Sequence, residues 1–474
     1  MVSKVLETLY RRVPIIMQNL MVTVYGYQLH RMRYGGNWAR YFAELNKSQW
    51  FSIDQLETLQ MQRLTGLLNR AYDNVPYYQK LFDQHGIHPD DIRCLADLER
   101  VPILQKMTLR DCPEALVARN IEKRELIRDH TSGTTGTALV LYNTRDTHQR
   151  TWAFIERFRN WTGVTVADKR ASFGVRIVAP FEQIRPPFWR YNPAEKQLLF
   201  SIYHLAPENL VAYSKALRRF APILIEGYPS AIYTLARFIL DNKLETAHPK
   251  AIITTAETLF EYQRQIIEQA FGCKVYDFYG SSEFATFACE CPKGGLHVNS
   301  EFGILEILKE DGTRAGPGTW GKFVVTGFAN GTQPLIRFEI GDMGIWTDRE
   351  CACGRKLPLL EAVTGRIEDV VVTPNGRLIA RFDPIFKDMR NIVEAQIIQE
   401  ALSDLRVKVV RDRGYSNADT AELLRQFNQR VGSDMRIQLE FVDQIPRTKS
   451  GKFRAVISNI PSPFKHQVPE EMRE

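Results

Sequence analysis

Between residues 223 and 278 short apolar runs alternate with longer amphipathic ones, and no other feature constrains the fold as strongly. The spacing predicts strands over 223–225, 251–255 and 274–278, with helices over 230–241 and 259–271 between them. Strand and helix in alternation imply layered α/β architecture, because each strand buries its faces under the helices that connect it. Upstream, residues 50–111 carry Leu, Met and Tyr at helical spacing, interrupted by an extended turn at Val101-Pro102-Ile103-Leu104. Residues 303–346 turn β-rich, with strands predicted over 303–308, 321–326 and 335–338 and turns at Asp311-Gly312 and Pro317-Gly318. After Gly365 the pattern restarts: strands over 370–373, 391–399, 405–410 and 435–441, and a helix over 420–431. The expected fold is therefore mixed α/β, with a large layered domain over 1–366 and a small α+β domain over 367–474.

Bulk properties narrow the function. Hydrophobic residues form 44% of the 474, ample for a core, and no repeat of 20–50 residues is visible. The net charge of +7 is a slight bias among 62 basic and 55 acidic side chains, suited to phosphate and carboxylate substrates. A nucleic-acid binder is not expected, since no concentrated basic stripe appears. The apolar stretch 13–28, flanked by Arg11, Arg12, Arg31 and Arg33, is broken by Gln18 and Asn19. It is too short to span a bilayer and lacks a signal-peptide cleavage site. It is expected to pack on the main body, with at most a peripheral membrane contact, and the chain reads as cytoplasmic. Of seven cysteines, four fall in the pairs Cys289/Cys291 and Cys351/Cys353, which in a reducing compartment points to metal.

Four motifs carry chemistry. Thr131-Ser132-Gly133-Thr134-Thr135-Gly136-Thr137 offers backbone N–H groups and hydroxyls that can wrap a polyphosphate, but it is no Walker A loop because no Lys follows the second glycine. Tyr279-Gly280-Ser281-Ser282-Glu283 ends a predicted strand with a ring able to stack on adenine and an acid able to hold Mg²⁺. Ile340-Gly341-Asp342-Met343-Gly344 places between glycines a carboxylate that can bind ribose hydroxyls. Pro446-Arg447-Thr448-Lys449-Ser450-Gly451-Lys452 presents a mobile lysine. Taken singly, each also reads as a turn or a solvated loop.

In order and spacing the four resemble the adenylate-forming superfamily, over nearly the whole length from Trp50 to Lys452. The pattern looks closest to the phenylacetate–CoA ligase branch and its CapK-type capsular-polysaccharide relatives, through Tyr25-Gly26-Tyr27, Arg33-Tyr34-Gly35-Gly36, Val75-Pro76-Tyr77-Tyr78 and Gly227-Tyr228-Pro229-Ser230. The resemblance implies roles. The 131–137 loop would hold the β- and γ-phosphates of ATP, and Ser282 would contact the α-phosphate. Tyr279 would stack on adenine, Ala256 and Glu257 would line it, and Glu283 would bind Mg²⁺. Asp342 would hold the ribose, with Arg366 reaching ribose or phosphate. Glu368 would be the hinge about which the small domain turns, and Lys452 the adenylation lysine. Two departures stand out: Ala138-Leu139 follow the glycine-rich loop in place of Pro-Lys, and the hinge acid is Glu where Asp is commoner.

Cys291, His297, Cys351 and Cys353 have the spacing C-x5-H and C-x-C, a ligand set suited to structural Zn²⁺, with Cys289 as a spare. The implied activity is ATP-dependent activation of a carboxylic acid as acyl-AMP, with coenzyme A as acceptor. The alternatives are an amine or carrier acceptor in capsule synthesis, or a nucleotide-binding partner without ligase activity. Residues 173–188 and 227–233 are expected to line the acid pocket.

Overall fold

The computed structural model describes residues 4–130, 139–174, 176–257, 259, 261–309, 311–364, 371–375, 378–379, 382–386, 389, 391–443, 445–446 and 456–460. Helices α1 (Lys4–Arg12), α2 (Ile15–Tyr34), α3 (Trp38–Ser48), α4 (Ile53–Asn74) and α5 (Pro76–His85) come first. A capping box opens α4: Ser52 Oγ accepts from Gln55 N–H, and Gln55 Oε1 accepts from Ser52 N–H. Pro76 sits in the first turn of α5 and Gly86 ends it in the left-handed region at φ 60°. On α4, Leu64, Leu67, Leu68 and Ala71 recur at helical spacing and are fully buried, each Leu contributing about 1.5–3 kcal/mol. After the short α6 (Lys106–Asp111) comes a hairpin of β1 (Ile127–His130) and β2 (Val140–Asn143), then α7 (Arg145–Trp161).

The expected alternation follows: β3 (Arg170–Gly174), β4 (Trp189–Asn192), β5 (Gln197–Ser201), α8 (Pro207–Phe220), β6 (Leu224–Gly227), α9 (Pro229–Asp241), β7 (Ala251–Thr255), α10 (Glu261–Phe271) and β8 (Val275–Gly280). Six further strands are β9 (Phe287–Glu290), β10 (Leu296–Val298), β11 (Gly303–Leu308), β12 (Trp320–Gly327), β13 (Phe338–Thr347) and β14 (Leu359–Thr364). All twelve from β3 to β14 join one mixed sheet, ordered β11-β12-β13-β14-β10-β9-β8-β7-β6-β3-β5-β4. Within it β5, β3, β6, β7 and β8 run parallel, so the ends of β6, β7 and β8 lie along one edge.

One expectation needs correction. Residues 335–337 precede a strand rather than form one, and the Ile340 to Gly344 motif, read as a turn, lies inside β13. The reason is a bulge: Lys322 pairs with Met343 and Val324 with Glu339, so Phe323 alone faces Ile340, Gly341 and Asp342. Gly341 adopts φ 91°, which glycine tolerates without a Cβ clash.

Beyond these strands lie β15 (Val371–Val372), β16 (Leu378–Ile379), α11 (Asp383–Phe386), β17 (Ile392–Ala401), β18 (Asp404–Arg411), α12 (Asn417–Val431), β19 (Arg436–Phe441) and β20 (Val456–Ser458). The sheet β19-β18-β17-β20 packs α12 over its own core, including Val407, Leu423 and Phe427. The structure is thus a large layered α/β body with a small α+β unit.

Candidate active site and metal centre

In parallel α/β sheets ligands bind outside the carboxyl ends of the strands. Here those ends carry Gly227 (β6), Ala256 and Glu257 (after β7) and the Tyr279-to-Glu283 segment (β8). Gly227 is required where it stands: it pairs with Phe173 of β3, and a Cβ would lie 2.0 Å from the Phe173 carbonyl oxygen. Glu257 Oε2 accepts the Ser230 N–H at 3.2 Å, tying the turn after β7 to the first turn of α9. Ala256 (φ 70°) and Phe284 (φ 56°) both sit in the left-handed region, a strained backbone of the kind concentrated at functional sites.

The structure brings Tyr279 and Asp342 together: the Tyr279 hydroxyl donates to Asp342 Oδ2 at 2.7 Å. The bulge in β13 aims that carboxylate across the sheet, and Phe323 meets the Tyr279 ring edge-on at 5.7 Å. Glu283 is 7% exposed and has no hydrogen bond or ion pair among the described residues. Ser281 Oγ is buried without a partner among them. A largely buried acid with no ion pair among the described residues is free to take a cation. The loop 131–137, Arg366, Glu368 and Lys452 lie outside the described residues. The expected acid-pocket residues divide: Gly227 reaches the sheet edge, whereas Phe173 and Phe188 are buried in the core with Phe200 and Tyr213.

The four expected metal ligands converge. The ligand atoms of Cys291, His297, Cys351 and Cys353 all lie within 4.8 Å of one another. Cys291 Sγ is 3.4 Å from Cys351 Sγ, and Cys353 Sγ is 3.2 Å from His297 Nε2. Tetrahedral zinc with Zn–S near 2.3 Å would set such ligands roughly 3.6–3.8 Å apart. His297 Nδ1 lies 3.1 Å from the Leu357 carbonyl oxygen, which orients the ring with Nε2 toward the thiols. Gly295 closes the cradle, where a Cβ would come 2.8 Å from Cys351 Sγ. Cys289 stands outside the set, its Sγ accepting from Asn299 Nδ2 at 3.5 Å.

Comparison with known proteins places the chain. Its residues 371–459 match the family model of the CapK C-terminal domain. Over 462 residues it is 31% identical to Protein CapK of Staphylococcus aureus, covering 96% of this chain and all of that one. The chain belongs to the CapK family. It is also 25% identical over 440 residues to the phenylacetate-coenzyme A ligase of Thermus thermophilus, covering 85% of this chain and 96% of that enzyme. Among solved structures, a 2-hydroxyisobutyryl-CoA ligase in complex with 2-HIB-AMP and CoA superposes with a TM-score of 0.57. At 21% identity, over 86% of this chain and 91% of that one, it speaks for the fold. This CapK-family chain therefore stands within the adenylate-forming superfamily, as its motifs suggested.

Sequence reasoning missed the framework that holds these elements. Arg159 of α7 donates to Glu226 of β6 at 2.7 Å, and Ser172 Oγ of β3 donates to the same carboxylate at 2.9 Å. Arg157 bridges to Glu301 at 2.5 Å with both side chains fully buried. The signal was a helix with Glu156, Arg157 and Arg159 among apolar residues, which reads as a solvated face until its neighbours are known.

Proposed function

We propose that this protein is an ATP-dependent ligase that activates a carboxylic acid as its acyl-adenylate and passes the acyl group to the thiol of coenzyme A. The observation that carries this reading is the hydrogen bond from Tyr279, at the end of β8, to Asp342, which joins two of the motifs, with Glu283 four residues further on making no hydrogen bond or ion pair among the described residues. The related phenylacetate-coenzyme A ligases support the choice of acceptor.

In the first half-reaction a carboxylate oxygen attacks the α-phosphorus of ATP, the bond to the β-phosphate oxygen breaks, and pyrophosphate leaves. Tyr279 offers its ring to the adenine, Ala256 and Glu257 line it, and Asp342 accepts from the ribose hydroxyls. The hydroxyls of Ser281 and Ser282, with the 131–137 loop, hold the phosphates. Glu283 would bind Mg²⁺, which neutralises charge on the phosphates. Lys452 compensates charge between the carboxylate and the α-phosphate, and Arg366 contacts ribose or phosphate. In the second half-reaction the thiol attacks the acyl carbon, AMP leaves and the thiol proton goes to solvent. Between the two, the 367–474 unit turns about Glu368 and withdraws Lys452. Cys291, His297, Cys351 and Cys353 would hold a structural Zn²⁺ whose chemistry is to clamp its ligands together. A cytoplasmic setting, which keeps thiols reduced, suits that site.

Pyrophosphate release over a panel of acids, followed by acyl-CoA formation, tests the reading. Lys452→Ala is expected to lower release at least a hundredfold while ATP still binds. ATP binding with no release for any acid would indicate a nucleotide-binding protein instead. Release that consumes an amino sugar and not CoA would move the acceptor to an amine.

A further inference from the structure

Helix α2 buries polar groups and exposes part of its apolar surface. Its buried positions are polar or small: Gln18, Gly26 and Arg33. Gln18 Oε1 accepts from Arg190 Nε at 2.8 Å, and Arg33 forms a 2.8 Å ion pair with Glu195. Gly26 lies so close to Asn192 that a Cβ would collide with its amide. The helix is thus fastened to the body by hydrogen bonds and charge. A row of its apolar residues points outward, with Ile16 81% exposed, Leu20 54%, Val24 52% and Tyr27 55%, while Ile15, Met21, Val22, Leu29 and Met32 are half-buried. At about 100° per residue, Ile16, Leu20, Val24, Tyr27 and Arg31 share one face, opposite Gln18, Gly26 and Arg33. Met17 at 46% widens that face.

Charge identifies what covers it. No Asp or Glu occurs between Glu7 and Glu44, whereas Arg12 and Arg31, at the two ends of the stripe, are exposed. A second copy of this chain would set cationic ends against cationic ends, and a bilayer with anionic headgroups would meet them with opposite charge. Among the described residues no helix is long and apolar enough to cross a membrane. An exposed apolar row with a tyrosine and basic ends offers the contacts by which a helix can lie on a membrane surface. We propose that α2 is a membrane-surface anchor that seats the protein on anionic lipid through Ile16, Leu20, Val24 and Tyr27, with Arg12 and Arg31 on the headgroups. The proposal is independent of the ligase reading.

Flotation of the full chain with vesicles of phosphatidylcholine, with or without phosphatidylglycerol, is the test. The protein is expected to float with the anionic vesicles, less so at high salt. Leu20→Ser combined with Val24→Ser should weaken partitioning at least tenfold with an unchanged melting temperature. Arg12→Gln combined with Arg31→Gln leaves the apolar face intact and should lose roughly thirtyfold on anionic vesicles alone. Failure to float with either vesicle, or equal flotation of the Leu20/Val24 variant, overturns the proposal. So does a dimer in light scattering that this variant converts to monomer while neither form floats; a second copy would then be the occupant.

Discussion

At the scale of single residues, the Tyr279–Asp342 hydrogen bond spans 63 positions of sequence and joins two motifs. A neutral hydroxyl donating to a carboxylate contributes about 1.5–3 kcal/mol. It also fixes which way the carboxylate points. Tyr279→Phe keeps the ring and removes the donor, so the KM for ATP should rise on the order of tenfold with little change in kcat. Tyr279→Ala also removes the ring face and should cost a further factor of about ten. Steady-state pyrophosphate release with each variant measures the split; equal KM values for wild type and Tyr279→Phe would show that the hydrogen bond does not position the nucleotide. The candidate residues could be named from the sequence because glycines, hydroxyls and acids cluster in short motifs. That Tyr279 would hold Asp342 was not, because the bulge that turns Asp342 inward depends on Phe323 facing three residues of β13.

At the scale of elements, the apolar ones were legible and the buried ionic ones were not. The strand over 251–255 and the helix ending at Phe271 stand where hydrophobic period placed them. α7 and α2 could not be read this way. The first hides charge, and the second buries Gln18 and Arg33 while exposing Ile16. In α7, Arg159 clamps β6 through Glu226. Burial alone raises the Glu226 pKa, but the charges of Arg159 and Arg170, with hydrogen bonds from Arg159 and Ser172, bring it down to about 2. The folded value lies below the ordinary carboxylate value, so between them the unfolded chain holds more protons and stability rises with pH. The contribution, about 3 kcal/mol, should be complete above roughly pH 4.5 and lost as pH falls through about 2. Glu226→Gln should flatten that part of the acid-denaturation curve and lower stability at neutral pH by about 3–5 kcal/mol, since it leaves Arg159 partly uncompensated. Urea unfolding at a series of pH values checks both slopes.

For the whole molecule, two links tie distant parts together. Cys291 and His297 come from the β9–β10 hairpin, and Cys351 and Cys353 from the segment between β13 and β14. A zinc ion there would pin the centre of the twelve-stranded sheet, with binding free energy on the order of 10 kcal/mol. Elemental analysis is expected to give one zinc per chain, lost in Cys353→Ser and kept in Cys289→Ser. Chelation should lower the melting temperature by several degrees. The second link joins the small unit to the body: Arg430 of α12, 4% exposed, donates to the Tyr203 hydroxyl at 2.6 Å and lies 4.9 Å from its ring centroid. A contact of this kind belongs to one orientation of the small unit. If that unit turns between half-reactions, the contact favours one orientation by about 1–2 kcal/mol. Arg430→Ala should then shift adenylation and acyl transfer in opposite directions, by up to about tenfold each. A purely structural role would slow both together. Single-turnover measurements of pyrophosphate release and of thioester formation separate the two outcomes, and equal slowing would place Tyr203 and Arg430 outside the conformational cycle.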